Sequence, residues 1–379
     1  MLTDQPAIER IISVNVLMSS TSYPENAQDW RGRFIYDMAE ALGRRGDLSL
    51  SLWAPPGDLP GRVGSAMQEG DERFLQDMLG KGGAAHLMRE RKFGSLVVLF
   101  NLMKRLRRVY RHSRHEVVHV NWLQNALPLW GTTTPALVTV LGSDYGLLDK
   151  PGMRTVLRAV FRQRPTVLAP NASWMVARLK EDFGDVAEVE AIPFGVSRRW
   201  FEVDRSGAES GCWLGVTRLT RAKIGYLFDW GEGMFDSRRQ LHLFGPMQES
   251  LELPSWVVWH GPTNPDELRE QWFPRATGLI SLSQHDEGRP QVILEAMAAG
   301  LPVIASDLPA HRDLVKHRET GWLVQERSQL EEAIGVLEDM PANRRIGASA
   351  RQCIKDTIGD WDDCAARYAV LYKQLVARR

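Results

Sequence analysis

Short apolar segments alternate with longer segments of helical periodicity along most of the chain. In the N-terminal half, the apolar segments predict strands at residues 11–18, 48–53, 117–120, 136–140 and 166–169. In the C-terminal half, they predict strands at residues 212–216, 240–244, 256–259, 278–283 and 302–305. Helical periodicity between strands, as at residues 32–45 and 153–162, is typical of parallel βαβ units. The pattern therefore predicts an α/β protein made of two successive Rossmann-like halves.

The segment of residues 195–211 fits neither the helical nor the strand period and contains Gly and Ser. At about 100–200 residues per domain, a chain of 379 residues agrees with two domains. We therefore predict an N-terminal domain of residues 1–195 and a C-terminal domain of residues 196–355. Ligands of open α/β sheets bind outside the carboxyl ends of the strands, so the cleft between the two domains is the expected binding site.

The composition argues against several classes of protein. The 47 Lys and Arg residues balance 47 Asp and Glu residues, whereas nucleic-acid binders usually carry a basic excess. Three scattered cysteines suit a reducing cytosol better than a disulfide framework or a CxxC metal site. No stretch approaches the roughly 18–20 uninterrupted apolar residues of a membrane span. The charged N-terminus predicts a first strand and not a signal peptide. We therefore expect a soluble, cytoplasmic protein that does not bind nucleic acid.

The segment of residues 278–306 contains the most informative pattern of the chain. A predicted strand is followed by a polar loop at residues 284–289, by Pro290 at the first helical position and by Gly300 just past the helix end. The start of this helix would offer unpaired N–H groups to an anion, and Gly288 would let a ligand approach the backbone closely. The segment therefore predicts an anion site at the carboxyl end of a strand.

Two acids and two cations accompany this predicted site. Glu287 and Glu295 have the spacing E-x7-E, and Arg218 and Lys223 follow a neighbouring predicted strand. A nucleotide sugar fits both signs of charge, because its hydroxyls would bind the acids and its diphosphate would bind the cations. The alternative is that these are ordinary solvated charges without a ligand, and the spacing alone leaves both interpretations open.

The motifs of the C-terminal half resemble those of the retaining glycosyltransferases of family 4, which have the GT-B fold of two Rossmann-like domains facing a central cleft. The similar segments are Gly215-Val-Thr-Arg218, Leu241-His-Leu-Phe-Gly245, Val257-Val-Trp-His-Gly261, Val292-Ile-Leu-Glu295-Ala-Met-Ala-Ala-Gly300 and Glu319-Thr-Gly-Trp-Leu-Val324. The N-terminal half is more loosely similar, at Arg33-Phe34, Gly142-Ser143-Asp144 and Ile192-Pro193-Phe194-Gly195-Val196. The closing segment resembles the helix that crosses back onto the first domain in this fold, so residues 356–379 are expected there.

The resemblance implies a role for each matching residue. Arg218 and Lys223 match the pair that binds the donor diphosphate. Glu295 matches the acid that binds the ribose, and Glu287 matches the acid that contacts the donor sugar. The segment after Gly261 matches the strand end that receives the base. In this family the reaction proceeds with retention and without a metal, and the leaving phosphate helps to deprotonate the acceptor. The remaining residues assigned to the donor site are Gly288, Arg289, Pro290, Gln291 and Val292.

Two departures from the family pattern fall in the N-terminal half. Many members carry His where this chain has Leu141, so Asp144 and Asn121 are the candidates to replace the contact of that His with the donor sugar. The first loop lacks the usual adjacent glycines, which leaves Gly32 as the residue of close approach. The predicted catalytic residues are Glu287, Arg218, Lys223 and Asp144. The predicted acceptor-side residues are Gly32, Asn121, Trp122, Gly142 and Ser143.

We therefore expect a retaining hexosyltransferase that moves a sugar from a UDP- or GDP-sugar to a saccharide or a lipid-linked saccharide, with no cofactor and no metal. The expected process is the biosynthesis of a cell-surface polysaccharide or glycolipid. Two alternatives stay open. One is an inactive GT-B protein that binds a partner or a glycan, which Leu141 favours. The other is a nucleotide-sugar epimerase or a phosphorylase of the same fold.

A further prediction concerns residues 89–115, which carry nine basic side chains and one acid around an apolar run at residues 96–103. A basic amphipathic segment of this kind suits an anionic membrane surface, and such contact would serve a lipid-linked acceptor. The alternative is a core helix with a solvated basic face. This segment is therefore a candidate for peripheral contact with the cytoplasmic face of a membrane.

Overall fold

The strands of the protein form two sheets, seen in a computed structural model that describes residues 13–26, 29–84, 87, 93–142, 144–285 and 287–379. The strands of the first sheet are β1 Val14–Ser19, β2 Leu48–Trp53, β3 Gly64–Ser65, β4 Val117–Asn121, β5 Ala136–Val140, β6 Thr166–Pro170 and β7 Glu188–Val189. Those of the second sheet are β8 Cys212–Val216, β9 Gln240–Phe244, β10 Val257–Gly261, β11 Gly278–Ser281, β12 Val303–Ser306 and β13 Trp322–Val324.

Both sheets are parallel and have the strand order of a Rossmann fold. The first has the order β3-β2-β1-β4-β5-β6-β7, and the second has the order β10-β9-β8-β11-β12-β13. In the first sheet, β2 and β3 lie on one side of β1, and β4 to β7 lie on its other side. In the second sheet, β9 and β10 lie on one side of β8, and β11 to β13 lie on its other side. The strand order therefore reverses between β1 and β4 and between β8 and β11. Ligand crevices lie at such points, outside the carboxyl ends of the strands. The predicted α/β fold, with two Rossmann-like domains that face a central cleft, is confirmed.

Helices cover both faces of the first sheet, because successive side chains of its buried strands point to opposite sides. Leu17 of β1 packs into one hydrophobic cluster, whereas Val16 and Met18 pack into another. In chain order, the described helices are α1 Arg33–Arg44, α2 Asp71–Gly80, α3 Phe93–His112, α4 Met153–Phe161, α5 Val176–Phe183, α6 Arg198–Phe201, α7 Arg221–Ile224, α8 Leu227–Gly231, α9 Pro265–Glu267, α10 Gln291–Ala298, α11 Pro309–Arg312, α12 Arg327–Glu338, α13 Met340–Thr357 and α14 Trp361–Ala377. None of the helices in these described ranges is long and apolar enough to cross a bilayer.

Helix α14 packs on the first sheet although it follows the second sheet in the chain. It contacts α1, and its Tyr368 and Tyr372 are buried in the same cluster as β1 and β4. The Tyr372 hydroxyl lies 2.7 Å from Nδ1 of His119, and the Thr139 hydroxyl lies 2.7 Å from Nε2 of the same ring. Burial lowers the pKa of His119 to about 3, so the ring is neutral and the network is uncharged.

The chain passes between the two sheets at two adjacent points. Val196, on the outward passage, forms a parallel bridge with Asp360, on the return passage. At Gly195 an added Cβ would lie 2.2 Å from the Asp360 carbonyl oxygen, so only glycine fits this contact. The Asp360 side chain then caps α14 by accepting hydrogen bonds from the N–H groups of Asp362 and Asp363. Both passages are therefore held together at one place.

Candidate active site

The loops that follow β8 and β11 pack against each other through their backbones. The Gln284 N–H donates to the Ala222 carbonyl at 2.8 Å, and the Tyr226 N–H donates to the Leu282 carbonyl at 3.2 Å. Gly225, with a φ of 55°, permits this approach, because a Cβ there would lie 2.0 Å from the Leu282 carbonyl oxygen. Since β8 and β11 flank the point where the strand order reverses, side chains from both loops meet at the expected ligand crevice.

This contact brings Lys223 of α7 next to Glu287, and the two mostly buried side chains form an ion pair. Burial lowers the pKa of Lys223, while the Glu287 carboxylate opposes that shift and the Arg218 guanidinium adds to it. Arg218 is itself exposed. The three predicted residues therefore lie together, and their summed charge leaves one positive charge in excess. Such a cluster attracts an anion.

Glu295 lies in the middle of α10, the helix that follows β11. Its carboxylate is partly buried and has no hydrogen-bond or ion-pair partner within the described part of the chain. Burial raises the pKa of Glu295 to about 8, and the negative charge of Asp37 adds to the shift. Asp37 lies on α1, so this acid faces the opposite domain. A partly buried carboxyl without a partner is suited to bind hydroxyl groups of a ligand.

Asp37 also has an altered pKa, and its main cause is burial of the carboxyl group. Burial raises the pKa of Asp37 to about 6, although the Arg33 guanidinium opposes the shift. Arg33 Nε donates to the Asp37 carboxylate at 3.0 Å, one turn earlier on the helix. The cleft thus places carboxyl groups of both domains close enough to influence each other.

Two glycines bring the domains into backbone contact. Gly142, with a φ of 87°, follows β5, and a Cβ added to it would lie 2.0 Å from the Gly288 nitrogen. A Cβ added to Gly288 would lie 2.5 Å from the Leu141 carbonyl oxygen. The indole N–H of Trp174 donates to the Gly288 carbonyl at 2.8 Å. The loop of the E-x7-E motif is therefore enclosed by the first domain, and both positions require glycine.

Arg289 is placed by an ion pair with Asp313, and both side chains are mostly buried. Asp313 also accepts hydrogen bonds from the Ser173 N–H at 3.2 Å and from the Ser173 hydroxyl, which belong to the first domain. We name the contacts of Ser173, Trp174, Gly288, Arg289 and Asp313 the interdomain latch. The predicted donor contact of Arg289 stays a prediction, and the structure gives its guanidinium a partner in this latch.

The other predicted donor residues lie around the start of α10 and at the sheet edge. Pro290 immediately precedes the helix, and Gln291 donates from its side-chain amide to the Gly195 carbonyl at 2.9 Å. Val292 is partly buried against the second domain core. Gly261 ends the edge strand β10 with a φ of 77°, and among the described residues, its two chain neighbours aside, no atom lies within 4 Å of a Cβ added there. The carboxyl end of β10 is therefore open to a ligand group.

Asp144 anchors the loop after β5. Its carboxylate oxygens accept hydrogen bonds from the Leu123 N–H at 2.7 Å and from the Leu141 N–H at 2.9 Å. Burial raises the pKa of Asp144 to about 6, although these backbone hydrogen bonds oppose the shift. The geometry therefore fits a positioning role for the loop that carries Gly142, and a catalytic role for Asp144 stays a prediction.

Of the predicted acceptor-side residues, Gly32, Asn121 and Trp122 lie in the segments that end or follow β1 and β4, and Gly142 lies just after β5. Gly32 has a φ of 66°, and a Cβ there would lie 2.7 Å from the Tyr23 nitrogen. Asn121 is buried and donates to the Ser19 carbonyl at 3.1 Å, and its Oδ1 has no partner in the described ranges. Trp122 has a strained φ of 70°. Ser143 lies outside the described residues.

Sequence reasoning did not find Asp37, Trp174 or Asp313. Each looks locally like an ordinary surface residue, because the group of the other domain that it contacts or influences lies far along the chain. Covariation between the two domains is the signal that would reveal these contacts. Among the residues that the structure describes, no group of three or more His, Cys, Asp or Glu side chains is arranged to hold a metal. The expected independence from metal stays a prediction.

Comparison with known proteins gives a match for part of the chain. Residues 245–353 match the family described as glycosyl transferases group 1. A D-inositol 3-phosphate glycosyltransferase of Rhodococcus erythropolis is 33% identical over 107 residues, which cover 28% of this chain and 24% of that protein. An exopolysaccharide phosphotransferase of Streptomyces coelicolor is 31% identical over 156 residues, which cover 40% and 16%. The chain thus spans less than a quarter of the length of either relative.

Solved structures are similar over nearly the whole chain. Sucrose-phosphate synthase from Thermosynechococcus elongatus has a TM-score of 0.71 at 19% identity, with 97% of this chain and 100% of that chain covered. HepE of Anabaena in complex with UDP-glucose has a TM-score of 0.64 at 14% identity, with 95% and 100% covered. At these identities the similarity establishes the fold, which is GT-B.

Proposed function

We propose that this chain, which carries a group 1 glycosyltransferase domain in a GT-B fold, transfers a sugar from a nucleotide sugar to a saccharide or lipid-linked saccharide with retention of configuration. The observation that carries the proposal is the meeting of Arg218, Lys223 and Glu287 at the point where the second sheet reverses its strand order. Glu295, the acid without a partner in the described ranges, lies on the adjoining helix α10.

The diphosphate of the donor would bind the cations of this cluster. As the bond between sugar and phosphate breaks, negative charge develops on the leaving phosphate, and Arg218 and Lys223 would stabilise it. The ion pair with Glu287 holds the Lys223 ammonium in place before the donor binds. The first N–H groups of α10 would contribute further hydrogen bonds to the phosphate. The acceleration of sugar transfer would then come from charged groups that are already oriented before the donor binds.

The two acids would bind hydroxyl groups of the donor. Glu295 would accept hydrogen bonds from the ribose, which would provide the partner that its carboxylate lacks in the described residues. Glu287 would accept hydrogen bonds from the transferred sugar while it keeps its contact with Lys223. Gly261 leaves the carboxyl end of β10 open for the base. In this assignment each acid binds a different sugar ring of the donor, and the two cations bind the diphosphate.

The acceptor would enter from the first domain. Gly32, Asn121 and Trp122 lie on that side, and the backbone contact of Gly142 with Gly288 would keep the reacting groups away from water. With a donor held this way, the leaving phosphate is the base closest to an acceptor hydroxyl that attacks from the same face. The bond to phosphate breaks, the bond to the acceptor oxygen forms, and the acceptor proton passes to the phosphate. Retention and metal independence follow from this scheme.

UDP-sugars are the first donors to test, since structures of HepE contain UDP or UDP-glucose, and GDP-sugars come next. We expect the reaction to belong to cell-surface polysaccharide or glycolipid biosynthesis, a process suggested by the exopolysaccharide phosphotransferase among the relatives. The free cysteines agree with a cytoplasmic location.

The test is a thermal-shift panel of nucleoside diphosphates and nucleotide sugars on the wild-type chain and on Arg218→Ala. A ligand at a hundredfold excess over its dissociation constant stabilises the folded state by ~2.7 kcal/mol, which gives a clear rise in Tm. We expect a rise with one class of base, and its loss in Arg218→Ala. The matched control is Arg221→Ala, which removes a neighbouring exposed arginine of α7 and should keep the rise.

An absence of any shift across the panel would contradict the donor site and favour an inactive binding protein. The ligand found is then incubated with and without acceptor saccharides. Transfer that needs an acceptor supports the proposal, whereas epimerised sugar without an acceptor, or sugar 1-phosphate in the presence of phosphate, would replace it with one of the two enzymatic alternatives.

A further inference from the structure

Helix α3 exposes a row of large apolar side chains on its outer face. Phe93, Leu96, Val97 and Phe100 are 83%, 56%, 44% and 61% exposed. Their spacing of i, i+3, i+4 and i+7 places them on one side of the helix. The opposite side carries Leu102, Leu106, Val109 and Tyr110, which are buried in the core of the first domain. The helix is therefore apolar on two sides, and only one of them is covered by the fold.

Basic side chains continue this outer face toward the end of α3. At 100° per residue, Lys104, Arg107 and Arg111 lie on the same side as Phe93 and Phe100. Lys104 and Arg111 are exposed, and the Lys104 ammonium lies 4.6 Å from the centre of the Phe100 ring. We name these three cations and the four apolar residues the α3 outer face. It has an apolar end and a positively charged end.

A basic cavity adjoins the charged end. It has a volume of about 340 Å³ and is lined by Phe74, Asn101, Lys104, Arg105 and Arg108. The two arginines both bind one oxygen of the buried Asp71, at 2.6 and 2.7 Å. Three cations therefore face a single carboxylate, and the cavity keeps two positive charges in excess.

We propose that the α3 outer face docks on an anionic lipid leaflet. The apolar end would enter the boundary between headgroups and acyl chains, and the cations of the charged end and of the cavity would bind lipid phosphates. We choose this partner because the positive charge of the face and the cavity is complementary to the negative charge of the lipid phosphates. Apolar exposure alone would suit many partners, but a row of aromatic and aliphatic side chains continued by unbroken positive charge suits a surface that is apolar inside and anionic outside.

The position of α3 in the fold places the apolar end of this surface at the cleft side of the domain. The helix spans about 30 Å for its 20 residues, and its end leads into the amino end of β4. Trp53, the last residue of β2, donates to the same Asp71 that binds the arginines in the middle of α3. The middle of α3 is therefore level with the carboxyl edge of the sheet, and residues 93–100 extend past it. The docking does not depend on the proposed reaction, but it would bring a lipid-linked acceptor to the acceptor side of the cleft.

Sedimentation of the full chain with vesicles tests the proposal. Vesicles of phosphatidylcholine alone are compared with vesicles that also contain about 30% phosphatidylglycerol, at low and at high salt. We expect the protein to sediment with the anionic vesicles at low salt, at least tenfold more than with neutral ones, and to be released by high salt. Phe93→Ser/Phe100→Ser and Lys104→Glu/Arg111→Glu should each reduce the bound fraction at least tenfold.

The control is Val156→Ser/Val370→Ser, which removes exposed apolar side chains from α4 and α14 and should sediment like the wild type. All variants should have the wild-type Tm, since the altered side chains are exposed. The proposal is overturned if the wild-type chain does not sediment with anionic vesicles, or if both outer-face variants sediment as it does. It is also overturned if the chain is a dimer that Phe93→Ser/Phe100→Ser converts to a monomer, since the face would then cover a second copy.

Discussion

Under the proposed function, the charge of Glu295 has opposite effects on stability and on ligand binding. Its carboxyl is partly buried and faces Asp37 of the other domain, and its pKa in the folded protein is about 8. In an unfolded chain the pKa of a glutamate is about 4.3. The folded state therefore binds the proton more tightly, and the free energy of unfolding falls as the pH rises from about 4.3 toward 8. The charge that destabilises the free protein at high pH is the one that would bind the ribose.

We predict that Glu295→Gln is more stable than the wild type at pH 8 by about 1–3 kcal/mol, since one pKa unit corresponds to about 1.4 kcal/mol and partial exposure reduces the effect. The difference should shrink toward pH 5. Urea unfolding at both pH values measures it. The residual pH slope of the variant should come from other buried acids such as Asp37 and Asp144, whose pKa values are both raised to about 6.

The same variant should bind the donor nucleotide at least tenfold more weakly, because an amide is a poorer acceptor for two ribose hydroxyls than a carboxylate. Glu181→Gln, at an exposed position of α5, should change neither property. An unchanged pH slope in Glu295→Gln would show that Glu295 is not the group that titrates.

At the scale of elements, the sequence pattern predicts the central strands well. Residues 48–53, 136–140, 212–216 and 240–244 are strands at the predicted bounds. The first and the last alternate apolar with polar positions, and the other two are mostly buried apolar runs. The pattern misses β3, β7 and β13, which have two or three residues and are too short to show a period. It places the first strand at residues 11–18, whereas β1 is Val14–Ser19, and residues 11–12 lie outside the described ranges.

The candidate site could be predicted in part. The cluster of Arg218, Lys223 and Glu287 follows from residue types at the ends of neighbouring strands, a local signal. The contact of Gly142 with Gly288 does not, because it joins loops of two domains, and no period or motif encodes the distance between them. The same holds for Asp37 and Glu295. Only the packing of the two domains creates these pairs.

The two loops that touch across the cleft give a second prediction. Gly142→Ala should destabilise the protein by about 1–3 kcal/mol, because the new Cβ would collide with the Gly288 backbone at a positive φ. Relief of this clash would move the loop of the E-x7-E motif, so the affinity for the donor should fall several-fold. Thermal unfolding and nucleotide titration measure the two effects.

Gly146→Ala is the matched control, since Gly146 lies four residues later, has a negative φ and has open space around its added Cβ. It should leave both quantities near their wild-type values. Equal behaviour of the two variants would mean that the loops are not in contact in solution.

At the scale of the whole molecule, the interdomain latch joins the two domains across the cleft. Ser173 and Trp174 of the first domain each donate a hydrogen bond to the second domain, to Asp313 and to the Gly288 carbonyl. Each such bond contributes about 1 kcal/mol. The closed form is therefore favoured by a modest free energy, which donor binding would increase.

We predict that Ser173→Ala/Trp174→Phe has a larger radius of gyration than the wild type in small-angle X-ray scattering without ligand. The two lost hydrogen bonds remove ~2 kcal/mol from the closed form. A saturating donor nucleotide should restore the wild-type value, because we expect it to bind the closed cleft more tightly than an open one. Ser349→Ala/Trp130→Phe makes the same chemical changes at exposed positions away from the latch and should scatter like the wild type. A scattering curve of the latch variant that matches the wild type would show that other contacts hold the cleft.

The adjacent passages at Val196 and Asp360 have a consequence for how the second domain can be exchanged. Residues 197–359 leave the first domain and return to it at neighbouring positions, so topologically they are an insert between β7 and α14. A donor domain from another protein of this fold could replace the insert as a cassette, with both junctions at one bridge and the seven-stranded sheet and α14 left intact. Under the proposed function, donor preference and acceptor preference would therefore be separable by recombination at a single place in the fold.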